Sequence, residues 1–193
     1  MAIKLQKGER FNLHKESPGL TQVGVGLGWD PNEQPGGPAF DLDASAFMIG
    51  SDFKIIADEY FVFYGNPESP DKSVRSSGDD QTGEGGEGGD AETLFVELNK
   101  VNQSVEQIIF TVTICKYPND ANKDKRTLPL NFAQVNNCFI RIYNSQTNAE
   151  LARYDLKENF KKEDAVEFGR LYRNGDKWPV ADLRYRGRVL KNG

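Results

Sequence analysis

Apolar and polar residues alternate with a period of two in short runs along most of the chain, and Gly, Pro, Asn and Asp interrupt the runs. A strand sends successive side chains to opposite faces, so this pattern predicts half-buried β-strands rather than helices. The runs are 22–29 (QVGVGLGW), 40–49 (FDLDASAFMI), 53–57 (FKIIA), 60–64 (YFVFY), 93–98 (TLFVEL), 106–115 (EQIIFTVTIC), 138–143 (CFIRIY), 149–154 (AELARY), 165–173 (AVEFGRLYR) and 177–185 (KWPVADLRY). That many short strands in 193 residues need a second sheet to cover the first, which predicts an all-β, antiparallel, two-sheet β-sandwich. The last two runs flank Asn174-Gly175, a dipeptide that tolerates positive φ and suits a type I′ hairpin turn. Pro179 assigns the second of them to a sheet edge or start. Helix is confined to a turn or two within 156–164. No repeat or linker divides the chain, which reads as one domain over 1–193. Residues 66–92 are the one long stretch with no strand pattern, and such a loop in a compact domain is either functional or disordered.

Composition agrees with a globular core, since hydrophobic residues make up 37% and aromatics 11%. Charge adds more. The formal net charge is −5, from 29 acidic and 24 basic residues. Residues 78–92 (GDDQTGEGGEGGDAE) carry Asp79, Asp80, Glu84, Glu87, Asp90 and Glu92 with no base, so the other residues hold 29 − 6 = 23 acids against 24 bases. The excess belongs to one loop, which also holds six of the 19 glycines. No run of about 18 apolar residues exists for a spanning helix, and the N-terminus MAIKLQKGERFNLHKE lacks a secretory h-region. The expected location is cytoplasmic. Cys115 and Cys138 sit in separate apolar runs and read as buried thiols, not a disulfide or zinc pair.

Six carboxylates crowded among glycines repel one another and offer little burial to offset the entropy of ordering the loop. Two readings follow. In one, the segment is a solvated, metal-free tether. In the other, a hard cation collects the oxygens, as Ca²⁺ does with six to eight oxygen ligands in flexible geometry. The EF-hand spacing is absent, and no Gly-Lys-Ser/Thr closes a P-loop. In FDLDASAF, Asp41, Asp43 and Ser45 share one strand face while Phe40, Leu42, Ala44 and Ala46 share the other. Carboxylates at i and i+2 lie about 7 Å apart, placed to grip one cation or two adjacent ones, or to stand solvated on an exposed face. Asp58 and Asn66, on either side of the YFVFY run, can add oxygens from a neighbouring strand.

GLGWD (26–30), FDLDASAF (40–47), FVFYGN (61–66), SVRSSGDDQTGEG (73–85), ARYDL (152–156) and FGRLYRNGDKW (168–178), taken in order, resemble the tellurium-resistance TerD family of bacterial stress proteins. The resemblance covers about residues 1–180. It implies a β-sandwich that binds Ca²⁺, usually two ions, and a cytoplasmic, non-enzymatic role in resistance to tellurite and other stress. The positions that match are Asp43, Asp58, Asn66, Asp79, Asp80, Thr82, Gly83 and Glu84, with Asp30 and Asp41 matching outside that principal set. The acidic loop is two residues longer than the family's, which puts Asp90 and Glu92 in register as ligands and leaves open the place of Glu87 and whether one or both ion sites are kept. The C-terminal DLRYRGRVLKNG departs from the family pattern.

The remaining motifs add little. Arg184, Arg186 and Arg188 share a strand face, which suits a solvated edge that discourages pairing better than a nucleic-acid patch. GVGLG (24–28) has no helix after it and does not make a dinucleotide site. His14 is the one histidine and reads as a surface residue. A glycosidase would need one carboxyl kept dry and protonated across a sugar cleft, and these glycine-flanked acids do not provide it. The expected function is therefore Ca²⁺-dependent ordering of the loop 66–92 into an interaction surface. Its partners would be proteins of a stress-response complex, with the membrane surface as one place of assembly, and neither nucleic acid nor a membrane span is involved. The alternative is a Ca²⁺-dependent lectin-like sandwich in which Trp29 stacks on a sugar.

Overall fold

Along the strand Gln22–Gly28 (β3), Val23, Val25 and Leu27 are each at most 1% exposed and alternate with Gly24, Gly26 and Gly28. The computed structural model describes residues 3–4, 10–35, 37, 39–84, 89–115, 130–160, 162–174 and 177–182. Glu87 and the arginines at 184, 186 and 188 lie outside them. β3 sits inside a six-stranded sheet ordered Ile3–Lys4 (β1), Ala149–Asp155 (β10), Phe139–Asn144 (β9), β3, Glu92–Glu97 (β7) and Val74–Ser76 (β6). The second six-stranded sheet runs Arg10–Phe11 (β2), Lys177–Asp182 (β12), Ala165–Asn174 (β11), Gln107–Ile114 (β8), Leu42–Ile49 (β4) and Phe61–Val62 (β5). Pairing is antiparallel except between β1 and β10. Leu42, Ala44, Ala46 and Met48 of β4, with Ile108, Phe110 and Val112 of β8, meet Val23, Val25, Leu94 and Ile142 in one continuous core. The period-two pattern thus yields the expected sandwich, because each inward face is apolar and needs the other to leave water.

Several local expectations change. Residues 53–57 are not a strand: Gly50 N–H donates to Lys54 O at 2.9 Å and Asp52 Oδ1 accepts from Lys54 N–H, closing a turn that leaves Ile55 only an isolated bridge to Ile49. The segment 66–92 is not strandless, since β6 pairs with Val96, Phe95 and Leu94 of β7. Three residues are too few to display alternation. They are anchored by Asp71, whose Oδ1 accepts from the Ser69 and Ser73 hydroxyls, each at 2.7 Å. Helix in 156–164 shrinks to Leu156–Asn159, and His14 falls in another four-residue helix, Leu13–Glu16. β11 and β12 pair as expected, and Asn174 pairs with Lys177, so Asn174 belongs to the ladder, while Gly175 lies outside the described residues. Pro179 lies on β12 where β2 does not reach, since β2 covers only Ala181 and Asp182. Among the described residues, no helix is long and apolar enough to cross a membrane.

Candidate metal centre

Asp43 lies at the start of β4 and Asp41 just before it, where the strand edge is uncovered by β5, because β5 pairs only with Ala46 and Phe47. Facing them is the acidic loop, which folds by its own side-chain chemistry. Asp80 Oδ1 accepts from Thr82 N–H and Gly83 N–H, both at 2.9 Å, and from the Thr82 hydroxyl at 3.1 Å, the Asx-turn arrangement that aspartate favours. Gly83 has φ +79, and a Cβ there would come within 2.6 Å of Trp29 Nε1, so glycine is required for the loop to lie on the indole. This turn carries Asp79 to the β4 edge. One ligand oxygen from each of Asp41, Asp43 and Asp79 lies within 4.8 Å of the other two. The three differ in access, Asp41 being buried, Asp43 partly exposed and Asp79 exposed. The site opens onto a shallow depression of about 440 Å³ lined by Ser77, Gly78, Asp79, Asp80, Gln81 and Ala91.

The electrostatics are strained in one direction. Burial, then the charge of Asp41 and of Asp79, pushes the Asp43 carboxyl up to about 7. Burial and Asp79 likewise raise Asp41, against some relief from the Cys115 thiol. Asp41 Oδ1 is buried with no hydrogen-bond partner, and a buried acceptor left unmet costs about 1–3 kcal/mol. Behind the cluster stands Glu92, 3% exposed and pushed up to about 8, chiefly by burial. Its Oε2 accepts from Ala44 N–H at 2.8 Å and its Oε1 from Asp80 N–H at 3.3 Å. One carboxylate from the first sheet therefore ties together the two segments that carry Asp43 and Asp79.

An all-oxygen donor set, mutual carboxylate repulsion and an orphaned buried oxygen fit a hard cation. Among the described residues, this is the one group of three such side chains close enough to hold a metal ion. The other expected ligands make contacts of their own. Asp90 is held by Arg141. Asp30 accepts from Asn137 Nδ2. Asn66 Nδ2 donates to Glu59 O and Phe61 O, closing its own turn. Asp58 opens a short 3-10 turn, Asp58–Tyr60. The Thr82 hydroxyl is engaged with Asp80 and accepts from Glu84 N–H at 3.2 Å, leaving the exposed Glu84 at the end of the turn. Two neighbours of the cluster had no sequence signal. Cys115, expected to be buried, is partly exposed and donates its N–H to Asp41 O at 2.7 Å. Tyr64 is 58% exposed, and its hydroxyl is pushed up first by Asp43. Trp29 is 4% exposed with Nε1 donating to Phe40 O at 2.8 Å, so it is a core residue and not a sugar platform.

A two-sheet sandwich with a carboxylate cluster where an acidic loop meets a strand edge defines a class of all-β proteins with a candidate cation site. Residues 1–184 match the TerD domain, and the chain belongs to that family. It is 43% identical to tellurium resistance protein TerD of Serratia marcescens over 178 residues, 92% of this chain and 87% of that one. It is also 43% identical to general stress protein 16U of Bacillus subtilis (strain 168) over 183 residues, 95% of this chain and 90% of that one. The fold matches the crystal structure of a homologue of telluride resistance protein TerD from Streptomyces coelicolor A3(2), with a TM-score of 0.68 and 24% identity, covering 88% of this chain and 91% of that one.

Proposed function

We propose that this chain is a non-enzymatic, cytoplasmic stress-response protein that binds Ca²⁺ through Asp41, Asp43 and Asp79 and thereby fixes the acidic loop as an interaction surface for protein partners. The observation that carries the reading is the buried, partnerless Asp41 Oδ1 among carboxylates that repel one another. When bound, the ion supplies positive charge shared among those oxygens, replacing repulsion with coordination. Asp43 and Asp41 present the fixed half of the site from β4, the Asp80 turn delivers Asp79, and Glu92 holds both halves at their backbone. The depression lined by Ser77–Gln81 leaves room for water to complete a coordination shell. A second ion, as the family resemblance implies, would have to draw on further oxygens such as Asp58, Asn66, Glu84 and Asp30, none of which belongs to the three-carboxylate group. The names of the relatives support a role in tellurium resistance or general stress.

Calorimetric titration of the chelator-treated protein tests this and counts the ions. Saturable Ca²⁺ binding, with Mg²⁺ much weaker because its small octahedral shell suits this loop poorly, is the expected result. No heat and no change in melting temperature on adding Ca²⁺ would leave the loop a metal-free tether and overturn the reading.

A further inference from the structure

The outer face of the first sheet carries an ion pair that the cation site does not use. Arg141 Nε donates to Asp90 Oδ1 at 2.7 Å and Nη2 to Asp90 Oδ2 at 2.9 Å, a two-pronged pair in which the side chains are only 18% and 7% exposed. Its place is prepared by the strand register. Arg141 on β9 pairs with Gly26 on β3, and the Asp90 carboxylate lies over Gly26, where a Cβ would land on it. Tyr143 lies across Gly24 in the same way, and the Arg141 guanidinium stacks on its ring at 4.4 Å. The glycine repeat of GVGLG is thus a trough that seats Asp90 against Arg141. From that anchor the chain has no slack. Ala91 N–H donates to Leu27 O at 2.9 Å, and the next residue is Glu92, which bonds the backbone at both Ala44 and Asp80.

We propose that Arg141 is a positioning residue for the cation site: through Asp90, seated in the gap at Gly26, it pins the exit of the acidic loop so that Glu92 holds the Asp43 and Asp79 segments at ligand spacing. Asp90 is then an anchor and not a ligand. This inference rests on the calcium reading above. The path from Arg141 runs through one ion pair and two residues of chain to Glu92, and from there through the Glu92 hydrogen bonds to the Ala44 and Asp80 amides beside the ligands, so a slack anchor reaches the site. Partners that orient the ligands of a metal typically contribute about 10–100-fold to its affinity.

The test combines Ca²⁺ titration with amide hydrogen exchange on the full chain. Arg141→Gln is expected to weaken Ca²⁺ binding about tenfold or more, Arg141→Lys to show only part of that loss, and Asp90→Asn to match Arg141→Gln. The double variant should be no worse than the poorer single one, because the two residues act as a unit. Gly26→Ala, which displaces Asp90 while leaving both charges in place, should weaken binding likewise and serves if Arg141→Gln folds poorly. In chelator, the Asp80 and Ala44 amides should exchange faster in Arg141→Gln while Phe110 and Ile142 stay protected. Wild-type affinity in Arg141→Gln and Gly26→Ala overturns the proposal, even if their melting temperatures fall. Loss of binding in Asp90→Asn alone overturns it too, by making Asp90 a direct ligand. If the wild type itself does not bind Ca²⁺, the calcium reading fails, and the exchange measured in chelator still decides whether Arg141 orders the loop.

Discussion

Replacing Asp43 with asparagine is expected to stabilise the metal-free protein and to lose most of that advantage in excess calcium. In the metal-free protein the Asp43 carboxyl is pushed from 3.8 up to about 7 by burial and by Asp41 and Asp79. Keeping it ionised at pH 8 therefore costs roughly three pH units, about 4 kcal/mol, and solvent screening of this partly exposed group reduces that to about 2 kcal/mol. The substituted amide would keep the shape and one oxygen but carry no charge, so Asp43→Asn should stabilise the chelated protein by about 2 kcal/mol. In a chain of this size that raises the melting temperature by roughly 4–8 °C. With Ca²⁺ that advantage shrinks to about 0.7 kcal/mol. At free Ca²⁺ about a hundredfold above the dissociation constant, binding stabilises the wild type by about 2.7 kcal/mol, and a tenfold loss of affinity leaves about 1.4. Thermal denaturation at pH 8 in chelator and in excess Ca²⁺ gives both numbers. An Asp43→Asn protein that is less stable than wild type in chelator, or that responds equally to Ca²⁺, would refute the reasoning.

Three further outcomes follow from the same structure. Folded Asp43 (about 7) and Glu92 (about 8) hold protons that the unfolded chain releases near 3.8 and 4.5. The chelated protein should therefore be most favoured by these groups below about pH 4 and lose that stability as pH rises to about 8, by up to about 1.4 kcal/mol per pH unit for Glu92 and less for Asp43. Urea denaturation across pH 5–8.5 checks this, and stability that rises over that span would contradict it. Gly83→Ala should lose roughly 1–3 kcal/mol, because φ is +79 and the new Cβ meets Trp29, whereas Gly19→Ala, also at φ +79 but with open space around it, should lose less; equal losses in urea would remove Trp29 from the explanation. Phe110→Ala, at 0% exposure, should lose about 3–5 kcal/mol with an unchanged Ca²⁺ dissociation constant at temperatures where it remains folded, and a shifted constant would mean that core and site are not separable.

The two-sheet architecture was legible because long strands such as β3, β4 and β8 alternate cleanly, and burial on one face leaves a periodic trace. What failed to register was too short or set by long-range pairing. β6 spans three residues, and Ile55 looked strand-like until the turn at Gly50–Lys54 took its neighbours. At the site, Asp41, Asp43 and Asp79 were visible as an acidic strand face and an acidic loop. That Asp41 is buried, and that Glu92 reaches across to Ala44, depends on how the sheets stack, which no local pattern encodes. The same holds for Asp90, which read as one more loop acid. Its partner Arg141 lies 51 residues away, brought opposite Gly26 only by the register of β9 on β3.

Trp29 has a consequence for how the protein can be observed. Its indole nitrogen bonds Phe40 O, the residue before Asp41, while its ring edge lies under Gly83, the residue that closes the Asp80 turn. The ring is thus clasped between the strand half and the loop half of the cation site. Any change in their separation alters the polarity and hydrogen bonding around a native fluorophore. The chain has two tryptophans, so Trp178→Phe would leave Trp29 emission as an unlabelled optical gauge of whether the loop is seated.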